Sequence, residues 1–363
     1  MKNTFGESVS VTIFGESHGG AIGAVLDGIA PGIAVDEEFI AHQMDLRRSA
    51  GSISTQRHEA DRVKILSGVF NGRTTGTPIM FMIENQDTRS KDYGELAYKA
   101  RPGHADYPAN VKYHGFQDFR GGGHFSGRIT AGIVAAGAVA ISALKAKGIT
   151  IGTHILTCAG ISDRGFGDIP SDIEKLADAQ FAVLDDSVKD KMVEKIEAAR
   201  DNGDSVGGRL ETAVYGFPAG VGEPWFDTLE SVLSHMLFSI PAVKGVEFGD
   251  GFGITEMMGS EANDPYRSEG GKVITSSNHN GGIIGGISNG MPIIFRTAVK
   301  PTPSIYKEQE TIDLNTLENT TLQIKGRHDP AIIHRARVVV DSAAALVLCD
   351  QLALRYGTDW LAR

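Results

Sequence analysis

The stretch Ile129-Thr130-Ala131-Gly132-Ile133-Val134-Ala135-Ala136-Gly137-Ala138-Val139-Ala140-Ile141-Ser142-Ala143-Leu144 contains no charged residue and is dominated by alanine. Alanine favours helix, so residues 126–147 read as one helix carrying Ile133, Val134, Val139, Ile141 and Leu144. A helix that is apolar on every side needs cover on every side, which places this one between layers. Residues 338–354 form a second apolar run of the same kind near the C-terminus.

The layers must then be strands. Val9, Val11 and Ile13 alternate with Ser10 and Thr12, the period of a strand with one buried face, and residues 21–27 read as the returning arm of a hairpin. Further strands are expected at 63–70, 79–83, 149–158, 209–217, 243–248, 292–299 and 322–324. Asp36 is placed to cap a helix through Ile40, Met44 and Leu46, residues 187–200 read as an amphipathic surface helix, and residues 225–238 read as a helix stopped by Pro241. Residues 49–57 read as a flexible loop, and 85–124 and 260–280 as long polar loops of the kind that serve a site. Each half thus has strands, a polar loop, a glycine-rich turn and an apolar helix, and no linker separates the halves. The expectation is an α+β chain, residues 1–363 forming one domain with internal pseudo-symmetry and helices layered against antiparallel sheets.

At 363 residues with 41% hydrophobic and 22% charged residues, the composition is that of a globular protein with a substantial core. A formal charge of −10 argues against a general nucleic-acid or acidic-membrane binder. Cys158 and Cys349 are far apart and form no CxxC motif, which points to two reduced, buried thiols in the cytosol. No signal-peptide core opens the chain, and no later stretch reads as a membrane span.

Glycine, at 45 copies, is the outlier, and polar chemistry gathers at its turns. Gly15-Glu16-Ser17-His18-Gly19-Gly20 follows the first strand and presents three groups able to hold or move a proton. In Arg101-Pro102-Gly103-His104-Ala105-Asp106, the turn brings an anion-binding arginine beside an acid/base histidine. Arg120-Gly121-Gly122-Gly123-His124-Phe125-Ser126-Gly127-Arg128 delivers the chain to a serine cap at the start of the apolar helix, a setting that favours phosphate or carboxylate. Gly326-Arg327-His328-Asp329-Pro330 repeats the pairing of arginine, histidine and carboxylate, with Arg335 and Arg337 shortly after. Arginines concentrated at glycine turns in an acidic chain point to an anionic ligand. A metal site from His18, His104, His279 and His328 stays open without supporting spacing, and a Ser17/His18 hydrolase is weaker, since GxSxG is absent.

Taken together, these blocks resemble the chorismate synthase family over nearly the whole chain. The resemblance rests on residues 14–19 (FGESHG), 74–78 (TTGTP), 85–87 (NQD), 101–107 (RPGHADY), 242–247 (AVKGVE), 280–286 (NGGIIGG), 300–302 (KPT) and 326–330 (GRHDP). It implies a β-α-β sandwich, a cytoplasmic homotetramer, and a carbon-oxygen lyase of the shikimate pathway. The implied reaction removes phosphate from 5-enolpyruvylshikimate 3-phosphate by 1,4-elimination, with reduced FMN as cofactor and NADPH as a candidate source of reductant. By the same resemblance Arg48, Arg101, Arg128 and Arg327 bind substrate, and His18 is the acid for phosphate departure. His104 protonates the flavin, Asp329 is the base, and Ser17 and Ser126 assist the proton relay. FMN contacts fall on Arg48, His124, Phe125, Ser126, Pro241, Ala242, Gly285, Lys300, Pro301, Thr302, Pro303, Ser304 and Arg327.

The chain departs from the family pattern at Arg47-Arg48-Ser49-Ala50-Gly51, where RRRPG is usual and the following loop is shorter, lacking the arginine often associated with NADPH. It departs again at His124-Phe125, where an arginine and a serine are usual, and at Pro241, where asparagine is usual. The altered His124-Phe125 pair motivates a second reading, a flavin- or phosphate-binding protein that kept the scaffold without the chemistry.

Overall fold

The computed structural model describes residues 2–49, 53–54, 61–85, 98–324 and 328–362. Its first sheet has the order Thr4–Phe5, Ser10–Gly15, Ala21–Asp27, Ile79–Glu84, Val63–Ile65, with every neighbouring pair antiparallel. The second runs Val243–Phe248, Ile293–Val299, Gly208–Tyr215, Thr150–Cys158, Ile161–Ser162, again antiparallel throughout. The helices among the described residues are α1 (Glu37–Arg47), α2 (Asp106–Tyr113), α3 (Thr130–Ala146), α4 (Ile169–Leu176), α5 (Asp186–Asp201), α6 (Leu229–Ser239), α7 (Gly259–Ala262) and α8 (Ile333–Tyr356). Each half therefore delivers a five-stranded sheet and then an apolar helix. Helix α3 packs on the first sheet, α8 on the second, and the two helices pack on each other. This is an α+β fold with helices between antiparallel sheets, and one hydrophobic cluster runs from Val9 to Leu361.

The glycines of α3 show why it sits there. Glycine in a helix costs about 1 kcal/mol relative to alanine. A Cβ at Gly132 would lie 2.6 Å from the Gly23 carbonyl oxygen of the first sheet, and one at Gly137 would lie 2.3 Å from Cβ of Ser342 on α8. The helix touches the sheet on one side and α8 on the other at backbone distance, and only glycine allows either approach. Residues Gly127–Ala146 are long and apolar enough to cross a membrane, but most of this segment is buried inside the protein. Both cysteines are buried as well, and burial pushes the Cys158 thiol up to about 11.

Asp36 caps α1 as expected, its carboxylate accepting the Phe39 N–H at 3.0 Å. Other boundaries differ from the sequence reading. Residues 63–70 split into Val63–Ile65 and Val69–Phe70 around Gly68, whose φ is +78°. Helix α6 starts at Leu229, capped by Thr228, because Trp225 holds a positive φ outside it. Helix α8 extends beyond residues 338–354 at both ends. Helix α4, capped by Asp168, is a further element that the sequence reading omitted. The strand expected at 322–324 is Asn319–Leu322, paired with Gln309–Ile312.

Residues 260–280 are not a loop but hold the hairpin Tyr266–Glu269/Lys272–Thr275. Its first strand is exposed at every residue, so there was no buried face to impose an alternating pattern. Likewise 85–124 contains α2, while residues 86–97 lie outside the described residues, as does most of 49–57.

Candidate active site

The hairpin connection Glu16–Gly20 is held from several sides. The Ser17 N–H donates to the Gly123 carbonyl at 3.0 Å, the Gly19 N–H to the Glu16 carbonyl at 3.0 Å, and the Asn85 N–H to the Gly20 carbonyl at 3.1 Å. His124 Nδ1 lies 2.7 Å from the Gly15 carbonyl; a carbonyl only accepts, so that ring nitrogen carries the proton. Gly121, Gly122 and Gly123 all adopt positive φ, wrapping the glycine run around this turn. Ser17 and His18 end up buried, at 2% and 7% exposure. Ser126 caps the short helical turn before α3, its hydroxyl accepting the Arg128 N–H.

The turn opens onto a cavity of about 590 Å³ at the ends of α3 and α8, within the usual size range for small-molecule sites. Ser17, His18, His104, Ser126 and Asp329 all line it, with Arg48, Arg101 and Arg128. So do Phe125, Pro241, Ala242, Lys300, Thr302, Pro303 and Ser304. His124 instead sits behind the Gly15 turn, Pro301 packs beside Gly207, and Gly285 lies in the turn between Ile283–Ile284 and Ile287–Ser288; none of the three lines the cavity. Arg327 lies outside the described residues. Of the histidines considered for a metal, His18, His104 and His328 share the cavity, while His279 pairs with Asp250 elsewhere. Among the described residues no group of three or more His, Cys, Asp or Glu is arranged to hold a metal ion.

Asp61 and the pairings of Arg47 and Arg335 escaped the sequence reading. Asp61, only 7% exposed, bridges two arginines: Arg47 Nη1 at 3.1 Å and Arg128 Nη1 in a shorter contact. Arg47 also donates to Thr130 Oγ1 and to the Gly127 and Arg128 carbonyls, so it ties α1 to the start of α3. Arg335 pairs with Asp329 and donates through Nε to the Arg47 carbonyl at 2.9 Å. Arg101 grips Asp106 through Nε and Nη2 at 2.7 and 2.8 Å, a pairing that the sequence reading did not foresee. Arg48 pairs with Asp45. The lining carries Arg47, Arg48, Arg101, Arg128, Lys300 and Arg335 against Asp61, Asp106, Asp118 and Asp329. Positive charge is therefore in excess here although the chain is at −10, which focuses an anion into this cavity.

His104 has a defined tautomer. Its Nδ1 lies 3.1 Å from the Pro102 carbonyl and must donate, so Nε2 of the neutral ring accepts from the Ser304 hydroxyl at 2.9 Å. Burial first, then the Arg101 charge, push its pKa from 6.5 down to about 4. His328 is lowered by burial and by Arg101, with Asp329 opposing. His334, stacked on Phe181 and only 1% exposed, is pushed by burial to about 3.

These three rings stay neutral in the folded protein while the unfolded chain takes up protons near pH 6.5. Stability from them is therefore lost as pH falls from about 6.5 toward their folded values. His154 opposes this: burial lowers its pKa, but hydrogen bonds to Asp163 and Glu211 win and raise it, so its contribution is full below 6.5 and lost at higher pH. The urea midpoint is expected to drop steadily between pH 6.5 and 4.5. A constant midpoint over that range would contradict the neutral-histidine assignment.

The lining also carries the apolar Ile240, Pro241, Ala242, Ile324, Ile332 and Val339, and apolar surface with excess cations is a combination suited to an aromatic cofactor with an anionic tail. Ala242 occupies the third position of a tight turn with φ +75°, closed by the Val243 N–H on the Ile240 carbonyl at 3.2 Å.

The family model described as chorismate synthase matches residues 9–353. A chorismate synthase of Thermococcus kodakarensis is 44% identical over 358 residues, covering 99% of each chain. One of Methanosarcina barkeri is 48% identical over 358 residues, covering 98% of this chain and 97% of the relative. Among solved structures, a crystal structure of chorismate synthase aligns with a TM-score of 0.75 at 28% identity, covering 97% of this chain and 94% of the other. The match spans the His18 turn, both interior helices and the arginine-lined cavity at their ends, and the chain belongs to the chorismate synthase family of lyases.

Proposed function

We propose that this chain converts 5-enolpyruvylshikimate 3-phosphate to chorismate by 1,4-elimination of phosphate, with reduced FMN bound in the same cavity, as a step of the shikimate pathway. The observation that carries the reading is the sharing of one cationic cavity by His18, His104 and Asp329 in a member of this family. A phosphorylated dicarboxylate needs several cations, and Arg48, Arg101, Arg128 and Arg327 are assigned to it. The apolar wall with Lys300, Thr302, Pro303 and Ser304 would hold FMN, which when bound and reduced would supply electron density to the substrate.

His18 acts as the acid that protonates departing phosphate, and Asp329 as the base for the ring proton, oriented by Arg335. Ser17 and Ser126 complete the relay. His104, neutral in the free protein with its proton on Nδ1, becomes a proton donor when an anion bound nearby raises its pKa. NADPH is one candidate source of the reductant. The protein works in the cytoplasm as a homotetramer, and the largely exposed Trp225, Phe226 and Phe252 give such an assembly apolar surface to bury.

The test is anaerobic incubation with photoreduced FMN and the enolpyruvyl substrate, reading chorismate by absorbance or through a chorismate-consuming enzyme. Formation of chorismate with release of phosphate is expected. Binding of both ligands without turnover would instead support the second reading, a binding protein on a retained scaffold.

A further inference from the structure

The Asn85 motif carries no role in the reading above, and its side chain makes an unusual set of bonds. It stands just past the strand Ile79–Glu84, half-buried, and does not line the cavity. Its Nδ2 donates to the Glu16 carbonyl at 3.0 Å and to the Gly19 carbonyl at 2.9 Å, while its Oδ1 accepts from Arg128 Nε at 2.9 Å. Carbonyl oxygens only accept and the guanidinium only donates, so one orientation of the amide satisfies all three bonds. The flipped amide would satisfy none.

The side chain thus spans two parts of the site that come from different elements: the turn bearing Ser17 and His18, and the guanidinium at the head of α3 that Asp61 also holds. We infer that Asn85 is a positioning residue that locks the His18 turn to Arg128, so that the proton donor and the anion-binding cation keep one relative geometry. The inference rests on the proposed elimination for its kinetic consequence, though not for its geometric one. A purely structural asparagine would matter equally whether or not His18 is present. A positioning one acts through His18, and its effect disappears with it.

The experiment compares Asn85→Leu, which keeps the branched heavy-atom skeleton and loses every bond, and Asn85→Asp, which keeps an acceptor for Arg128 and loses both donors to the turn. Each is made in the full-length protein, alone and with His18→Ala. Alone, each is expected to lower kcat about 10- to 100-fold, the scale of a misplaced catalytic group, with a smaller change in KM. In the His18→Ala background each is expected to lower kcat by no more than about threefold. Without any ligand, amide exchange at Ser17 and Gly19 is expected to quicken about tenfold in both variants while strand amides of Ile79–Glu84 stay protected. Full additivity with His18→Ala, or kcat within twofold of wild type, overturns the inference. If Asn85→Leu does not fold, Asn85→Asp decides. If wild type forms no chorismate the elimination itself is refuted, and the exchange measurement still decides the lock: unchanged turn protection overturns it.

Discussion

His18→Ala is expected to lower kcat about 10²–10⁴-fold, the usual contribution of a general acid, while KM changes only a few-fold. The split follows from the division of labour in the cavity. In the proposed function anion binding belongs to the arginines, which the substitution leaves in place with Asp61, Asp106 and Asp329. The turn itself should survive, because backbone groups of Glu16, Ser17, Gly19 and Gly20 hold it. Unchanged circular dichroism and thermal midpoint would confirm that point. Anaerobic steady-state kinetics with reduced FMN is the measurement, and a kcat within threefold of wild type would remove His18 from the acid's role.

Gly121→Ala is expected to cost nearly as much, about 10²-fold in kcat, without touching a titratable group. An alanine Cβ there would lie 2.3 Å from His18 Cε1, 2.4 Å from Nδ1 and 2.9 Å from Ser17 Oγ, so the imidazole must move. Gly122→Ala is the control. Both positions have positive φ, +58° and +84°, and both pay the left-handed strain of about 1 kcal/mol. At Gly122 the nearest atom to the new Cβ is Ser126 Cβ at 3.7 Å, an ordinary contact. Similar losses of thermal midpoint with a large kcat loss only in Gly121→Ala are expected. Equal kcat losses in the two variants would show that strain in the glycine run, and not displacement of His18, sets the activity.

Much of the site was legible because it is built from local turns. Glycine and proline mark where the chain reverses, and polar groups within those turns, such as Arg101 and His104, meet through a few residues of sequence. What escaped were groups whose role depends on packing between distant segments. Asp61 carries no local motif, yet it neutralises Arg47 and Arg128, the latter 67 residues away. Asn85 belongs to a recognisable block, but nothing in that block shows that its amide reaches both the His18 turn and Arg128. The exposed hairpin at 266–275 was lost for the opposite reason, since a strand with no buried face leaves no period to read.

The sequence by itself determined the layering. An alanine-rich run without charge can lie stably only between two apolar surfaces, and the alternating strands before it and the second apolar run near the C-terminus provide them. It also marked the turns that come to line the cavity, through glycine's access to positive φ. Tertiary structure decided the rest: which carboxylate answers which arginine, which nitrogen of His104 carries the proton, and how closely Gly121 rests on His18. The reason is physical. Backbone periodicity is a short-range property of the chain, whereas charge balance, desolvation and van der Waals contact are set by whichever elements the fold brings together, here across separations such as the 200 residues between His104 and Ser304.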